Sequence, residues 1–177
     1  EQILQDFDTA HGVRSVSLRY FNAAGADPAG ELGERHEPET HLIPLILQAA
    51  SGRRKAITVF GRNYSTPDGT CIRDYIHVQD LAEAHVAAVA QAERGGRTDI
   101  YNVGRGMGFS VLDVLDAVRS AMGSDFAHEI SAPRAGDPAS LVAEVNRIHS
   151  ELGWQAQRDL ADMVTSAWSA WQAFPPA

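Results

Sequence analysis

The chain has 177 residues, 44% hydrophobic and 21% charged, with a formal net charge of −8. That composition excludes a disordered or low-complexity chain, the length predicts one domain or one large piece of one, and the acidic balance argues against a nucleic-acid or anionic-membrane surface. The single cysteine, Cys71, cannot form an internal disulfide, so a reducing, cytoplasmic setting is expected, and no apolar run is long enough to span a bilayer.

Residues 1–7, EQILQDF, already read as the middle of an amphipathic helix, with Ile3, Leu4 and Phe7 on one face and no cap before them. The expectation is a chain that forms the C-terminal part of a longer protein. Gly12 suits the end of this helix. Residues 13–20, VRSVSLRY, alternate apolar and polar side chains and predict a strand. Residues 21–39 predict a long, polar loop, of the kind that carries function. Thr40 is the expected cap of a helix over residues 41–51, with Leu42, Leu45, Ile46 and Ala49 inward and Pro44 tolerated in its first turn. The basic run Arg53-Arg54-Lys55 follows, either as cations favoured at a helix C-terminus or as a phosphate contact. Residues 56–60, AITVF, predict a short strand.

Residues 66–80, TPDGTCIRDYIHVQD, compress a turn, a strand and a helix start into one stretch, which places several polar side chains at one strand end. The helix is expected to run to Arg94, with Leu81, Ala82, His85, Val86 and Val89 as its apolar stripe and Gly95-Gly96 as its stop. Residues 98–103 predict a strand, and Ser110 with Asp113 a capping box for a helix to Met122 that turns Val114, Leu115 and Val118 inward. A strand at 128–131, a loop at 132–138, a helix at 144–152 and a last helix from Asp159 to Phe174 complete the chain. Pro175-Pro176 stops that helix, whose inner face is Met163, Val164, Ala167, Trp168 and Trp171. Alternating strands and helices indicate an α/β fold with largely parallel strands.

Individual motifs have modest content. Gly104, Gly106 and Gly108 sit between a strand and a helix, but a dinucleotide fingerprint needs glycine where Phe109 stands, so a structural tight turn is the first reading. The seven histidines lack metal-like spacing and read as structural. No nucleophile elbow is present, and Cys71 reads as a small buried residue. Arg73-Asp74 reads as an internal pair and Arg134 to Asp137, RAGD, as a salt-bridged loop, unless the two arginines converge on a pyrophosphate.

Together the motifs carry more. SLRYFNAAGADPAGELGE at 17–34, HLIPLILQAASGRR at 41–54, FGRNYSTPDGTCIRDYIHVQDLAEAH at 60–85, YNVGRGMGFSVLDV at 101–114 and APRAGDPASLVA at 132–143 occur in order. In that order the sequence resembles the C-terminal half of the UDP-galactose (UDP-glucose) 4-epimerases, a family of extended short-chain dehydrogenases/reductases. The resemblance implies that residues 1–177 form the UDP-sugar-binding portion, with the last elements of a Rossmann domain and the smaller substrate-binding domain. It also implies that an N-terminal half binds NAD and carries the Tyr-x-x-x-Lys motif, which these residues lack along with the glycine fingerprint. Chemistry implied for the whole enzyme is oxidation at C4 of the sugar by NAD, turnover of the 4-keto sugar and return of the hydride. This would interconvert UDP-galactose and UDP-glucose in a homodimer, and the chain alone would be inactive.

By the same resemblance Tyr20 lies beside the nicotinamide, Phe21 near the sugar, and Asn22 donates to a phosphate. His41, in place of a common asparagine, and Leu42 lie near the phosphates and uridine. Thr58, Val59 and Phe60 meet the uracil, Arg73 and Arg134 clamp the pyrophosphate, and Tyr75 and Val111 line the nucleotide pocket. Asp137 accepts from the ribose hydroxyls. Leu141 stands at the gate of the sugar pocket, where its intermediate size would admit N-acetylated sugars. The alternatives are a related sugar-nucleotide dehydratase or UDP-glucuronate decarboxylase, or a folded, non-catalytic fragment that exposes apolar surface.

Overall fold

The computed structural model describes residues 1–95 and 97–175. Gly96 and Pro176, each expected to help stop a helix, lie outside the described residues. The chain opens with α1 (Gln2–His11), β1 (Val16–Tyr20) and β2 (Asn22–Ala24), and reaches α2 (Leu42–Ala50) after the long loop. There follow β3 (Ile57–Phe60), β4 (Ile72–His77), α3 (Val78–Glu93), β5 (Asp99–Val103), β6 (Gly108–Ser110) and α4 (Val111–Met122). The chain ends with β7 (His128–Ser131), β8 (Ser140–Leu141), α5 (Asn146–Leu152) and α6 (Leu160–Ala173). Among the described residues no helix is long and apolar enough to cross a membrane.

Among the described residues the strands form three small sheets. β1 pairs in parallel with β5, from Val16 opposite Asp99 to Tyr20 opposite Val103. β4 is the hub of the second: β2 and β8 run parallel to it and β6 antiparallel. β3 pairs in parallel with β7. The predominance of parallel pairs agrees with the α/β reading. β2, β6 and β8, three residues or fewer each, were not expected from the sequence. Each is held by pairing with β4 rather than by its own propensity.

Two apolar cores follow. One packs α2, α4 and α6 together beside β3, with Ile46, Val59, Leu115, Met163 and Val164 sealed inside. The other joins Ile76, Leu81, Tyr101, Val103, Ile148 and Trp154 between the β1–β5 pair, α3 and α5. The capping boxes at Ser110/Asp113 and Asp159/Asp162 are both closed. In each, the side chain before the helix and the acid three residues on satisfy reciprocal backbone amides.

Several expectations are corrected. The core side of α3 is Leu81, Ala84 and Ala88, while Val86 and Val89 are 71% and 57% exposed and Ala82 and His85 face outward. Small alanines let the helix lie close to the strands beneath it, so the larger valines are not the buried ones. Helix α1 buries no residue, and Ile3 and Phe7 stand open to solvent. Thr40 does not cap α2. His41 is the capping position, its side chain making no capping bond, and the Glu39 carboxylate accepts instead from the Thr40 and His41 amides, both at 2.7 Å.

Candidate functional site

The stretch at 66–80 is locked by its turn. Gly69 has φ 80°, and a Cβ there would collide with the Arg62 carbonyl, so only glycine fits. Asp68 accepts from the Thr70 amide at 2.7 Å and its hydroxyl at 2.8 Å. Burial pushes the Asp68 carboxyl up, but hydrogen bonds from Ser110 and Thr70 outweigh it and hold the group below its ordinary value. The Thr70 oxygen then accepts from the Val111 amide at 3.2 Å, which ties the turn to the start of α4. Val111 is thereby fixed at the seam of β4 and α4, half-buried.

From this anchored start β4 presents Arg73. Its Nη1 donates to the Ile72 and Pro138 carbonyls, each at 2.8 Å, and its Nη2 to Asp137 at 3.3 Å. Among the described residues three of the five guanidinium N–H groups are thus engaged, with Nε and the second Nη2 hydrogen left over. Register sets Leu141 opposite Arg73 on β8 and Asn22 opposite Tyr75 on β2. Arg73, Asp137 and Leu141 are therefore brought together, and Asn22, exposed, sits one strand away.

The expected Arg73–Asp74 pair does not form. Asp74, fully buried, instead accepts three backbone amides: Arg105 at 2.9 Å, Gly106 at 3.0 Å and Ala143 at 3.1 Å. Neighbours on a strand point to opposite faces, so Arg73 and Asp74 cannot meet. Burial pushes the Asp74 carboxyl up, partly opposed by these amides. The bonds also settle the glycine turn. Its Arg105 and Gly106 amides are spent on Asp74, and a Cβ on Gly104 would lie 2.6 Å from both Ala143 and Asp74. The turn is structural.

A second group forms where β3 and β7 end. The Arg134 guanidinium lies over the Phe60 ring at 3.9 Å, with no ion-pair partner among the described residues. Gly61 shapes the turn with φ 86°, and its missing Cβ makes room for Tyr64 and Pro133. The Asp137 amide donates to the Arg134 carbonyl at 3.3 Å, so one tight loop carries both Arg134 and the partner of Arg73. Thr58 and Phe60 are half-buried, and Val59 is turned wholly into the core.

The remaining predicted residues spread out. Tyr75 is 5% exposed within the larger core, and burial pushes its hydroxyl up to about 12. Tyr20 ends β1 half in solvent, its hydroxyl 2.6 Å from His85 Nε2, while His85 Nδ1 meets the Leu81 carbonyl at 2.7 Å. Phe21 is half-buried, its amide bonded to the Val103 carbonyl. Leu42 packs on the core at the start of α2, and His41 is exposed beside it.

Two cavities lie apart from these arginines. One, of about 280 Å³, is lined by Arg19, Ile100, Asn102, Glu144 and Arg147. The other, of about 250 Å³, lies between β1 and α3, and Tyr20 and His85 are on its wall.

Sequence reasoning missed several polar clusters. His77 is buried, accepts the Gln79 amide at Nδ1 and meets Ser166 at 3.0 Å through Nε2. Burial and the nearby Arg158 guanidinium pull its pKa below the ordinary value. Buried Asp80 binds the Arg158 guanidinium, and its other oxygen accepts the Arg158 amide at 3.0 Å. A third cluster lies in the long loop, where the spacing of the histidines announced none. His36, Glu39 and His41 meet with ligand atoms within 4.8 Å of one another. The signal was the interval His-x-x-Glu-x-His inside a loop, which matches no helical pattern.

Residues 1–104 match the NAD dependent epimerase/dehydratase family. The UDP-glucose 4-epimerase of Rhizobium meliloti (strain 1021) is 50% identical over 169 residues, 96% of this chain and 52% of that protein. A crystal structure of UDP-glucose 4-epimerase superposes with a TM-score of 0.95 at 46% identity, over 98% of this chain and 53% of that one. The enzyme from Bifidobacterium longum, in complex with NAD+ and UDP, gives 0.91 at 39% identity, over 98% of this chain and 52% of that one. The chain thus spans about half the length of the relatives it matches. It belongs to the NAD dependent epimerase/dehydratase family.

Proposed function

We propose that this chain is the C-terminal, UDP-sugar-holding portion of a UDP-glucose 4-epimerase. The observation that carries this reading is the convergence of Arg73, Asp137 and Leu141 on β4 and its neighbours, with Arg134 stacked on Phe60 in the same loop. The uncommitted N–H groups of Arg73 and the guanidinium of Arg134 offer charge-assisted bonds to a diphosphate. The Phe60 ring and the Thr58 backbone offer a face and hydrogen bonds to uracil. Asp137 retains acceptor capacity for ribose hydroxyls, Asn22 reaches for a phosphate oxygen, and His41 and Leu42 close the far side at the start of α2. Val59, turned inward, contributes backbone only, while Val111 and Tyr75 back the nucleotide. The half-exposed Leu141 borders the sugar and leaves room for an N-acetyl group.

Exposed Tyr20, on a cavity wall at the end of β1 and steadied by His85, fits an edge contact to a nicotinamide ring. NAD, when bound, supplies the hydride acceptor and donor. The residues here bind and orient the sugar nucleotide, and the proton-abstracting Tyr-x-x-x-Lys motif is not among them. The test is calorimetric titration of the protein with UDP, with uridine as the control. UDP should bind saturably and uridine far more weakly, because the arginines act on the diphosphate. Equal binding of the two, or none of UDP, refutes the assignment.

A further inference from the structure

The loop between β2 and α2 gathers two imidazoles and two carboxylates. His41 Nδ1 lies 2.7 Å from a Glu34 oxygen and 3.0 Å from a Glu39 oxygen, and His36 Nδ1 lies 4.0 Å from the same Glu39 oxygen. The two imidazole rings are 5.1 Å apart. We propose that His36, Glu39 and His41, with Glu34 as the fourth donor, form a binding site for a divalent transition ion of the zinc class.

The donor set selects the ion. Two imidazoles with two carboxylates suit tetrahedral Zn²⁺, whereas Mg²⁺ and Ca²⁺ prefer oxygen alone. In a tetrahedral site with bonds of about 2.0–2.1 Å, donor atoms stand roughly 3.4 Å apart. The ligand atoms of His36, Glu39 and His41 already lie within 4.8 Å of one another, so closure needs movements of about 1 Å, which the exposed imidazoles can make toward a fixed Glu39. The Glu39 carboxylate is only 10% exposed and held by the Thr40 and His41 amides, as a ligand aimed by outer hydrogen bonds should be. His41 Nδ1, poised between the Glu34 and Glu39 carboxylates, is where the ion would bridge imidazole and carboxylate.

The site has a structural consequence. Glu34 and His36 belong to the long loop, whereas His41 opens α2, so an ion held by all four would staple the loop to the helix. Its imidazole would then be committed to the metal. The proposal shares His41 with the UDP-sugar reading, but metal titration and UDP titration are read separately, so the failure of one is distinguishable from the failure of the other.

The experiment is titration of the chelator-stripped protein with Co²⁺, followed by its visible d–d absorption and by Zn²⁺ competition. One equivalent should produce an intense tetrahedral spectrum that Zn²⁺ abolishes. His36→Ala and Glu39→Gln should each weaken binding by at least about 100-fold, with the far-UV circular dichroism unchanged. Glu34→Gln, on an exposed side chain, is the companion variant should Glu39→Gln perturb the fold. Absence of a saturable site, an octahedral spectrum, or undiminished binding by the folded His36→Ala protein would overturn the proposal.

Discussion

Asp74→Asn isolates how β4 holds the site together. The Asp74 Oδ1 accepts the Arg105 amide, and Oδ2 accepts those of Gly106 and Ala143. An asparagine has one acceptor oxygen, and its best orientation keeps Gly106 and Ala143 while turning its NH₂ toward the Arg105 N–H. A buried donor then faces a donor, at a cost of about 1–3 kcal/mol, and the two surviving bonds lose charge assistance of about 1 kcal/mol each. Burial already pushes the Asp74 carboxyl up, so the neutral amide recovers part of the desolvation cost. The net expectation is destabilisation by about 2 kcal/mol for Asp74→Asn and about 4 kcal/mol for Asp74→Ala, which strands all three amides. Urea unfolding, followed by far-UV circular dichroism and tryptophan fluorescence, should show a lower midpoint with an unchanged slope. An Asp74→Asn midpoint matching the parent, within about 0.5 kcal/mol, would refute the reasoning.

Other outcomes follow from the same structure. Arg158→Ala removes the guanidinium that pairs with fully buried Asp80 and should cost about 3–5 kcal/mol in thermal or urea unfolding. His77 has a folded pKa below its unfolded value of about 6.5, so the unfolded state binds more protons as pH falls, and stability should decline below about pH 6.5. Glu34 and Asp74, whose carboxyls burial pushes up, act in the opposite sense at lower pH. The decline should therefore set in below about pH 6.5 and be lost in His77→Asn, read from unfolding midpoints across pH. Gly61→Ala places a Cβ 2.5 Å from Tyr64 at φ 86°, costs about 1–2 kcal/mol for the backbone alone, and should weaken UDP binding by displacing Pro133 and Arg134.

Long, periodic elements were legible in the sequence because local rules governed them. The Ser110/Asp113 box closes as read, and Asp159 starts the last helix as read, because a cap needs only a few neighbouring residues. What escaped was decided by distant neighbours. β8 is strand only because Ser140 and Leu141 lie opposite Ile72 and Arg73, a pairing no local pattern announces. Val86 and Val89 looked like core on hydrophobicity, yet Ala84 and Ala88 take that face because the strands leave little room. The same limit applies to the site. The family resemblance gave Arg73 to the pyrophosphate and Asp137 to the ribose, but that Asp74 would turn away to hold Gly106 and Ala143 depends on segments 32 and 69 residues along. His36, Glu39 and His41 were each visible, and only the fold of the loop brings them together.

The most direct test is an experimental structure of the protein with UDP bound, which locates the diphosphate. It should lie within hydrogen-bond reach of both Arg73 and Arg134, with the uracil against Phe60. Truncating either arginine to alanine should weaken UDP binding by about 10- to 100-fold, the loss of one or two charge-assisted bonds. A diphosphate bound instead in the cavity lined by Arg19 and Arg147, with Arg73→Ala and Arg134→Ala binding UDP as the parent does, would contradict the account.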